Sequence, residues 1–298
     1  MITLAHISDI HLSPMPEIGL RDLMSKRLTG FLNWKLKRNE ELNSETLGSL
    51  VAHMQAQNAD FTAVTGDLVN LALKFEIERA GKWLEALGPS DKVAVCPGNH
   101  DAYVPGALET AQEIWGDYMK GETLDDASIY PFVRRVGELA IISCSSAVPT
   151  RPFVALGRFD EAQAERLGRI LHVMGESGHF RTVMIHHPPC PELQHPSFGL
   201  KGHKLFRKVI AEHGAELILH GHTHRSSIHS IPGKTREVPV VGVAAASAAQ
   251  GGTLDDPARY NLFRIERSGD GAWTCTMREF GFQRLGSEIV MRMQMRIS

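Results

Sequence analysis

The sequence has only four cysteines, at 96, 144, 190 and 275, and no Cys-x-x-Cys pair. That spacing excludes a thiolate zinc or iron-sulfur site and a dense disulfide framework, so reduced, mostly buried thiols are expected. Charge of one sign is lacking too: 32 Lys and Arg stand against 34 Asp and Glu, a formal net charge of -2. No global field draws such a chain to nucleic acid or to an anionic membrane, and no nucleic-acid partner is expected. The longest apolar runs, near residues 140–142 and 240–246, fall well short of a membrane span. The opening residues, MITLAHISDIH, lack the basic then apolar layout of a secretion signal, and a cytoplasmic location is expected. Hydrophobic residues at 43% and charged residues at 22% exclude a disordered or collagen-like chain.

What the sequence does have is histidine, 15 of them in 298 residues, many beside Asp, Gly or Pro instead of on periodic faces. Short β-branched runs at 2–7, 61–65, 92–96, 139–143, 182–185, 217–219 and 238–243 read as strands. Helical patterns lie between several of them, at 44–57, 71–87, about 160–174 and 204–213; Asp160 with Gln163 suggests a capping box. Strands alternating with helices predict a layered α/β fold. Near the end, residues 260–266 and 272–280 flank a Ser-Gly-Asp-Gly turn and predict a β-hairpin at about 260–280. No linker, repeat or charge block divides the chain, so a single domain over 1–298 is expected.

Polar clusters follow five of the strand runs. They are Asp9-Ile10-His11, Gly66-Asp67-Leu68-Val69-Asn70, Pro97-Gly98-Asn99-His100-Asp101, His186-His187-Pro188-Pro189 and His220-Gly221-His222-Thr223-His224. Ligands collect outside the carboxyl ends of strands in α/β folds, so these clusters can converge on one crevice. Carboxylate and amide oxygens with imidazoles suit Mn, Fe, Co, Ni or Zn. The set is too large for one ion. Two divalent ions sharing a carboxylate would use it, an arrangement that activates a water and clamps the oxygens of a phosphoryl displacement.

In order, Asp-x-His, Gly-Asp-x-x-Asn, Gly-Asn-His-Asp, His before His-Pro-Pro and Gly-His-x-His resemble the calcineurin-like metallophosphoesterase superfamily, especially its bacterial class III cyclic nucleotide phosphodiesterase-like branch. The resemblance runs from Asp9 to His224. It implies a four-layer αββα sandwich, two mixed β-sheets flanked by helices, with two metals at the strand ends, Mn or Fe first and Zn, Co or Ni as alternatives. It also implies that Asp9, His11 and His224 hold the first metal, Asp67 bridges, and Asn99, His186 and His222 hold the second, with His186 favoured over His187. His100 is then the acid that serves the leaving oxygen, and Asp101 either orients it or caps a turn. Phosphoprotein phosphatases of this superfamily carry Asp then Arg where this chain has Asn70 then Leu71, so that role is not expected.

The resemblance implies a small phosphodiester as substrate, hydrolysed by a metal-bridging hydroxide. A pyrophosphatase on a nucleotide-sugar or lipid-linked diphosphate is the alternative; a non-catalytic metal-bound scaffold is disfavoured by the complete ligand set. Gly66, Gly98 and Gly221 are expected where backbone must approach the metals closely. His6 and His220 read as packing or supporting residues, His53, His172 and His213 as helix-surface residues, and His195 and His203 as members of a loop near the second metal. One segment stands apart. Residues 20–38 carry Arg21, Lys26, Arg27, Lys35, Lys37 and Arg38 against Asp22 alone, with apolar residues at helical spacing. It either lies on a membrane surface, closes over a lipid-like substrate, or packs on the protein.

Overall fold

The structure, a computed structural model, describes residues 1–13, 26–27, 44–124, 129–248, 256–269, 271–283 and 288–298. Of the basic segment only Lys26 and Arg27 are among them; the reading of 20–25 and 28–38 lies outside the described residues.

The apolar run after Met1 forms β1 (Ile2–Ile7). A crossover through α1 (Ser44–Gln55) leads to β2 (Phe61–Val64), and one through α2 (Lys74–Leu87) to β3 (Val93–Val95). β1, β2 and β3 pair in parallel. α3 (Ala107–Trp115) precedes a second group of strands: β4 (Phe132–Val136), β5 (Leu139–Ser143), the two-residue β6 (Gly157–Arg158) and, after α4 (Glu161–Glu176), β7 (Phe180–Met184). The short β8 (Leu200–Lys201) pairs with β6 and leads into α5 (His203–His213). Then come β9 (Leu217–His220), β10 (Ser227–Pro232), β11 (Glu237–Gly242), β12 (Arg259–Arg267), β13 (Trp273–Phe282) and β14 (Ile289–Arg296). Two six-stranded mixed sheets result, ordered β14-β13-β12-β1-β2-β3 and β10-β11-β9-β7-β5-β4.

Side-chain alternation stacks them. Leu139, Ile141, Phe180, Met184, Leu217, Leu219 and Val241 face the first sheet and join one core with Leu4, Ile7, Phe61 and Val64. Their neighbours Ala140, Ile142, Val183, Ile185, Ile218 and Val240 point the other way, into a second core with Leu167, Ile170 and Leu171 of α4 and Phe206, Val209 and Ile210 of α5. A strand apolar at every position is what a sheet covered on both faces requires. On the outer side of the first sheet, Leu47, Leu50 and Met54 of α1 and Ile77, Ala80 and Leu84 of α2 close the core. The layers run helix, sheet, sheet, helix, as expected.

Several local readings change. α2 begins three residues after Leu71, because buried Glu76 takes the N–H groups of Asn70, Leu71 and Leu73, each at 3.0 Å, and holds 70–73 as a turn. Asp160 does cap α4, accepting from Gln163 N at 3.0 Å, but there is no capping box: the Gln163 amide instead exchanges two 2.8 Å bonds with the backbone of Ser145. The expected hairpin, β12 with β13, gains a third antiparallel strand in β14. No helix among the described residues is long and apolar enough to cross a membrane.

Candidate metal centre

The ends of β1 and β2 continue as a ladder beyond the strands: Asp9, His11 and Leu12 N–H donate to the carbonyls of Gly66, Asp67 and Leu68, each at 3.0 Å. This places Asp9 and His11 against Asp67. From the second sheet, Gly221 N–H donates to the His186 carbonyl, and His222 N–H donates to Asp9 Oδ2 at 2.9 Å, bringing the last histidine cluster onto the first aspartate. The cost is local strain. Among the described residues, eight non-glycine positions have positive φ, and five of them are Asp9, His11, Asp67, His222 and His224. Each costs of order 1 kcal/mol, which surrounding contacts must offset, and such residues cluster at functional sites.

Among the described residues, three groups of side chains could each hold an ion, with ligand atoms within 4.8 Å of one another: Asp9, His11 and His224; His11, Asp67 and His100; and Asp67, His186 and His222. Asp67 is shared by two of them. His224 Nε2 lies 3.3 Å from Asp9 Oδ1 and 3.4 Å from His11 Nε2, while His186 Nε2 lies 3.3 Å from Asp67 Oδ2 and 3.2 Å from Asn99 Oδ1. Backbone carbonyls fix the tautomers, since a carbonyl only accepts. His11 Nδ1 donates to Val69 at 3.1 Å and His186 Nδ1 to Thr65 at 2.6 Å, which turns each Nε2 inward, toward the carboxylates. His222 donates through Nε2 to Phe198 at 2.8 Å, leaving Nδ1 as its ligand atom.

The electrostatics fit cations. Asp9 Oδ1 is buried without a hydrogen-bond donor other than the neighbouring His224 ring. Burial works against ionising Asp9 and Asp67. Even so, the charges of and hydrogen bonds from His224 and His186 respectively hold both carboxyls well below the usual range. The same two carboxylates overcome burial at His186 and raise it to about 9, so the site draws positive charge onto itself. Burial, then the charge of His186, lowers His222 to about 3 and keeps it neutral, as a metal ligand must be.

The structure separates neighbours that the sequence could not. His187 is committed elsewhere, its Nδ1 to Ser146 Oγ at 2.8 Å and its Nε2 to the Ala155 carbonyl at 3.1 Å. Asp101 does not orient His100. It collects the N–H groups of Asp67, Gly98 and Leu68 at 2.8–2.9 Å and so shapes the turn that carries Asp67. His100 donates its backbone N–H to Asp67 Oδ1 at 2.7 Å and its Nδ1–H to the Asn70 carbonyl at 2.6 Å. His6 and His220 are buried beside the centre and belong to none of the three groups; His6 bonds to Thr65 Oγ1 and His220 to the Gly221 carbonyl. His195 lines the cleft above the centre, whereas His203 bonds to Leu200 at the start of α5.

The three glycines are places of close approach. A Cβ on Gly98 would overlap Asp67 Oδ1 and its backbone nitrogen, one on Gly66 would overlap Gly98, and one on Gly221 would overlap Ser8 Oγ. Gly98→Ala is therefore expected to displace Asp67 and weaken metal binding at least tenfold, as loss of an outer-shell contact does, with the far-ultraviolet circular dichroism of the parent. Full metal content at limiting metal would contradict the packing argument.

A four-layer α/β sandwich with carboxylates and imidazoles gathered at its strand ends is the layout of a metal-dependent hydrolase. The chain belongs to the calcineurin-like phosphoesterase family, whose model matches residues 2–226, and is thus a metallophosphoesterase acting on phosphoric esters. Its structure is similar to a dimetal phosphatase from Danio rerio, with a TM-score of 0.63 at 13% identity over 97% of this chain and 98% of that one. It is also similar to a purple acid phosphatase from yellow lupin seeds (TM-score 0.59, 10% identity, 100% of this chain and 53% of that one). A 5'-nucleotidase precursor from Thermus thermophilus is similar as well (TM-score 0.51, 15% identity, 92% and 53%). This chain spans about half the length of the latter two, and at these identities the likeness is one of fold. No curated protein matches the chain.

Two contributors at this site, Tyr103 and the Phe198 carbonyl, carry no signal in the sequence, and Lys26 stands there only as one of a basic run. Tyr103 stacks on His100, with ring centroids 5.5 Å apart, and Lys26 packs over Tyr103. The carbonyl of Phe198 fixes His222 although the side chain has no part in the bond. A main-chain acceptor has no residue signature, and a single aromatic outside a periodic run carries none either.

Proposed function

We propose that the chain is a dinuclear-metal phosphodiesterase for a small phosphodiester. Asp9, His11 and His224 would hold one ion and Asn99, His186 and His222 the other, with Asp67 shared between the two sites. Bound there, two divalent ions, Mn or Fe before Zn, Co or Ni, neutralise phosphate charge and acidify a water. The residues around them do the rest. Neutral imidazole and amide donors leave the ions their charge, and His100, held through Nδ1 by the Asn70 carbonyl, supplies the proton that the leaving oxygen needs.

The observation that carries the diester reading is the lining of the cleft, about 480 Å³, over Asp67, Asn99, His100, His222 and His224. Its remaining wall sets Ala155, Leu193 and Phe198 beside Gln194, His195 and Thr223, and among the described residues Arg225 is the one Lys or Arg that lines it. A phosphomonoester dianion calls for cationic side chains, whereas a diester monoanion brings a second organic substituent that suits an apolar wall. With the Mn-reconstituted protein, bis(4-nitrophenyl) phosphate should be hydrolysed at least about tenfold faster than 4-nitrophenyl phosphate, a margin worth roughly 1.4 kcal/mol of transition-state binding. Cyclic nucleotides, glycerophosphodiesters and diphosphate-linked lipids belong in the same panel. A preference for the monoester overturns the diesterase reading, and a preference for diphosphates replaces it with a pyrophosphatase.

A further inference from the structure

Lys26 and Arg27 come from the basic segment between the first two motifs, yet neither presents its charge outward. Arg27 donates through Nε to the Leu71 carbonyl at 3.0 Å and through Nη2 to the Ala72 carbonyl at 2.7 Å. The preceding carbonyl, of Asn70, is the one that accepts from His100 Nδ1. Three consecutive carbonyls of one turn are thus gripped by Arg27 and His100, while Glu76 takes N–H groups of the same turn. Lys26 reaches the other way. Its ammonium donates to Thr150 Oγ1 at 2.7 Å and to the Val154 carbonyl at 3.3 Å, in the connection between β5 and β6. It also lies 4.4 Å from the centroid of Tyr103, whose ring stacks on His100 at an interplanar angle of 18°.

We propose that Lys26, fastened beside Arg27, is a positioning residue of the active site: the pair clasps the turn at 70–72 to the 150–154 connection and presses Tyr103 onto the His100 ring. The His100 imidazole is then confined on three sides, by the Asn70 carbonyl at Nδ1, by the Tyr103 face, and by the edge of His11 at 4.8 Å between centroids. A cation over an aromatic face is worth more when desolvated, and the Lys26 ammonium is partly buried. Burial lowers its pKa to about 8 against the opposing charge of Asp67, in keeping with a site inside the rim of the cleft. The clasp spans 124 residues of sequence between Lys26 and Thr150 and 44 between Arg27 and Leu71, so it joins one edge of the centre to another.

This inference rests on His100 being the proton donor, and the test keeps the two apart. Lys26→Met keeps most of the side chain's apolar stem and removes the ammonium charge. It should retain both metals and the parent's thermal midpoint while losing about 10–100-fold in kcat on alkyl phosphodiesters, the scale on which a small misplacement of a catalytic group acts. Its kcat on nitrophenyl diesters should change little, because that leaving group needs no proton. Lys26→Arg should recover most of the loss. Thr150→Val, which removes one partner of Lys26 and no charge, should move the same ratio of rates by a smaller factor. Equal loss on both ester types in Lys26→Met, or no loss on either, overturns the clasp, as does an unchanged ratio in Thr150→Val if Lys26→Met does not fold. If His100→Ala itself shows no dependence on leaving group, it is the proton-donor reading that fails.

Discussion

Asp67→Ala is expected to strip the centre of metal and lower phosphodiester hydrolysis by roughly a thousandfold or more, beyond the 10–100-fold that loss of an outer-shell partner costs. Asp67 is the carboxylate common to two of the three candidate ligand groups and is fully buried, 3.3 Å from His186 Nε2. Two dications about 4 Å apart repel by roughly 15–20 kcal/mol even at an effective dielectric of about 20, and an anionic group between them offsets part of that term. Alanine removes it and also the acceptor of the His100 backbone N–H. Metal analysis after dialysis and steady-state rates at saturating Mn measure the two effects. Full activity with two ions bound would overturn the dinuclear assignment.

His100→Ala separates proton delivery from metal binding. The imidazole is held through Nδ1 by the Asn70 carbonyl and lies at the cleft wall, so its loss leaves the ligands of Asp9, Asp67 and Asn99 in place. Metal content should equal that of the parent. Alkyl diesters, whose leaving alkoxides need a proton, should slow by about 10²–10⁴-fold, the usual worth of general-acid help, and nitrophenyl diesters far less. One observation makes the metal measurement a necessary part of the experiment: His100 also falls in a ligand group with His11 and Asp67. Loss of an ion together with equal slowing of both ester types would make His100 a ligand.

The strands that carry the site were legible because they are largely buried and read as short runs rich in β-branched and apolar residues, as in Ile2–Ile7 and, most plainly, Leu139–Ser143. The helix at Ala107–Trp115 was not, because it starts after Gly106 in a left-handed conformation with no side-chain cap. β14 was hidden for another reason. Its residues are largely exposed, and it exists through its antiparallel pairing with β13, which no local pattern encodes. Asp160 signalled its cap by identity, but Gln163 was misread because its partner, the Ser145 backbone, lies 18 residues away.

Composition and order along the chain determined the α/β layering, the five polar clusters at strand ends and the kinds of donor they offer, since residue type and its distance from a strand are local properties. Tertiary structure decided which nitrogen of each histidine faces inward, that His186 and not His187 lies beside Asp67, that Asp101 shapes a turn, and that Lys26 and Arg27 turn onto the protein. Each of those depends on a partner far along the chain, 213 residues in the case of His11 and His224 and 121 for His186 and the Thr65 carbonyl. Such partners meet only after both sheets have stacked, and the backbone then accepts positive φ at five candidate ligands because the assembled contacts outweigh a strain that no local sequence preference would choose.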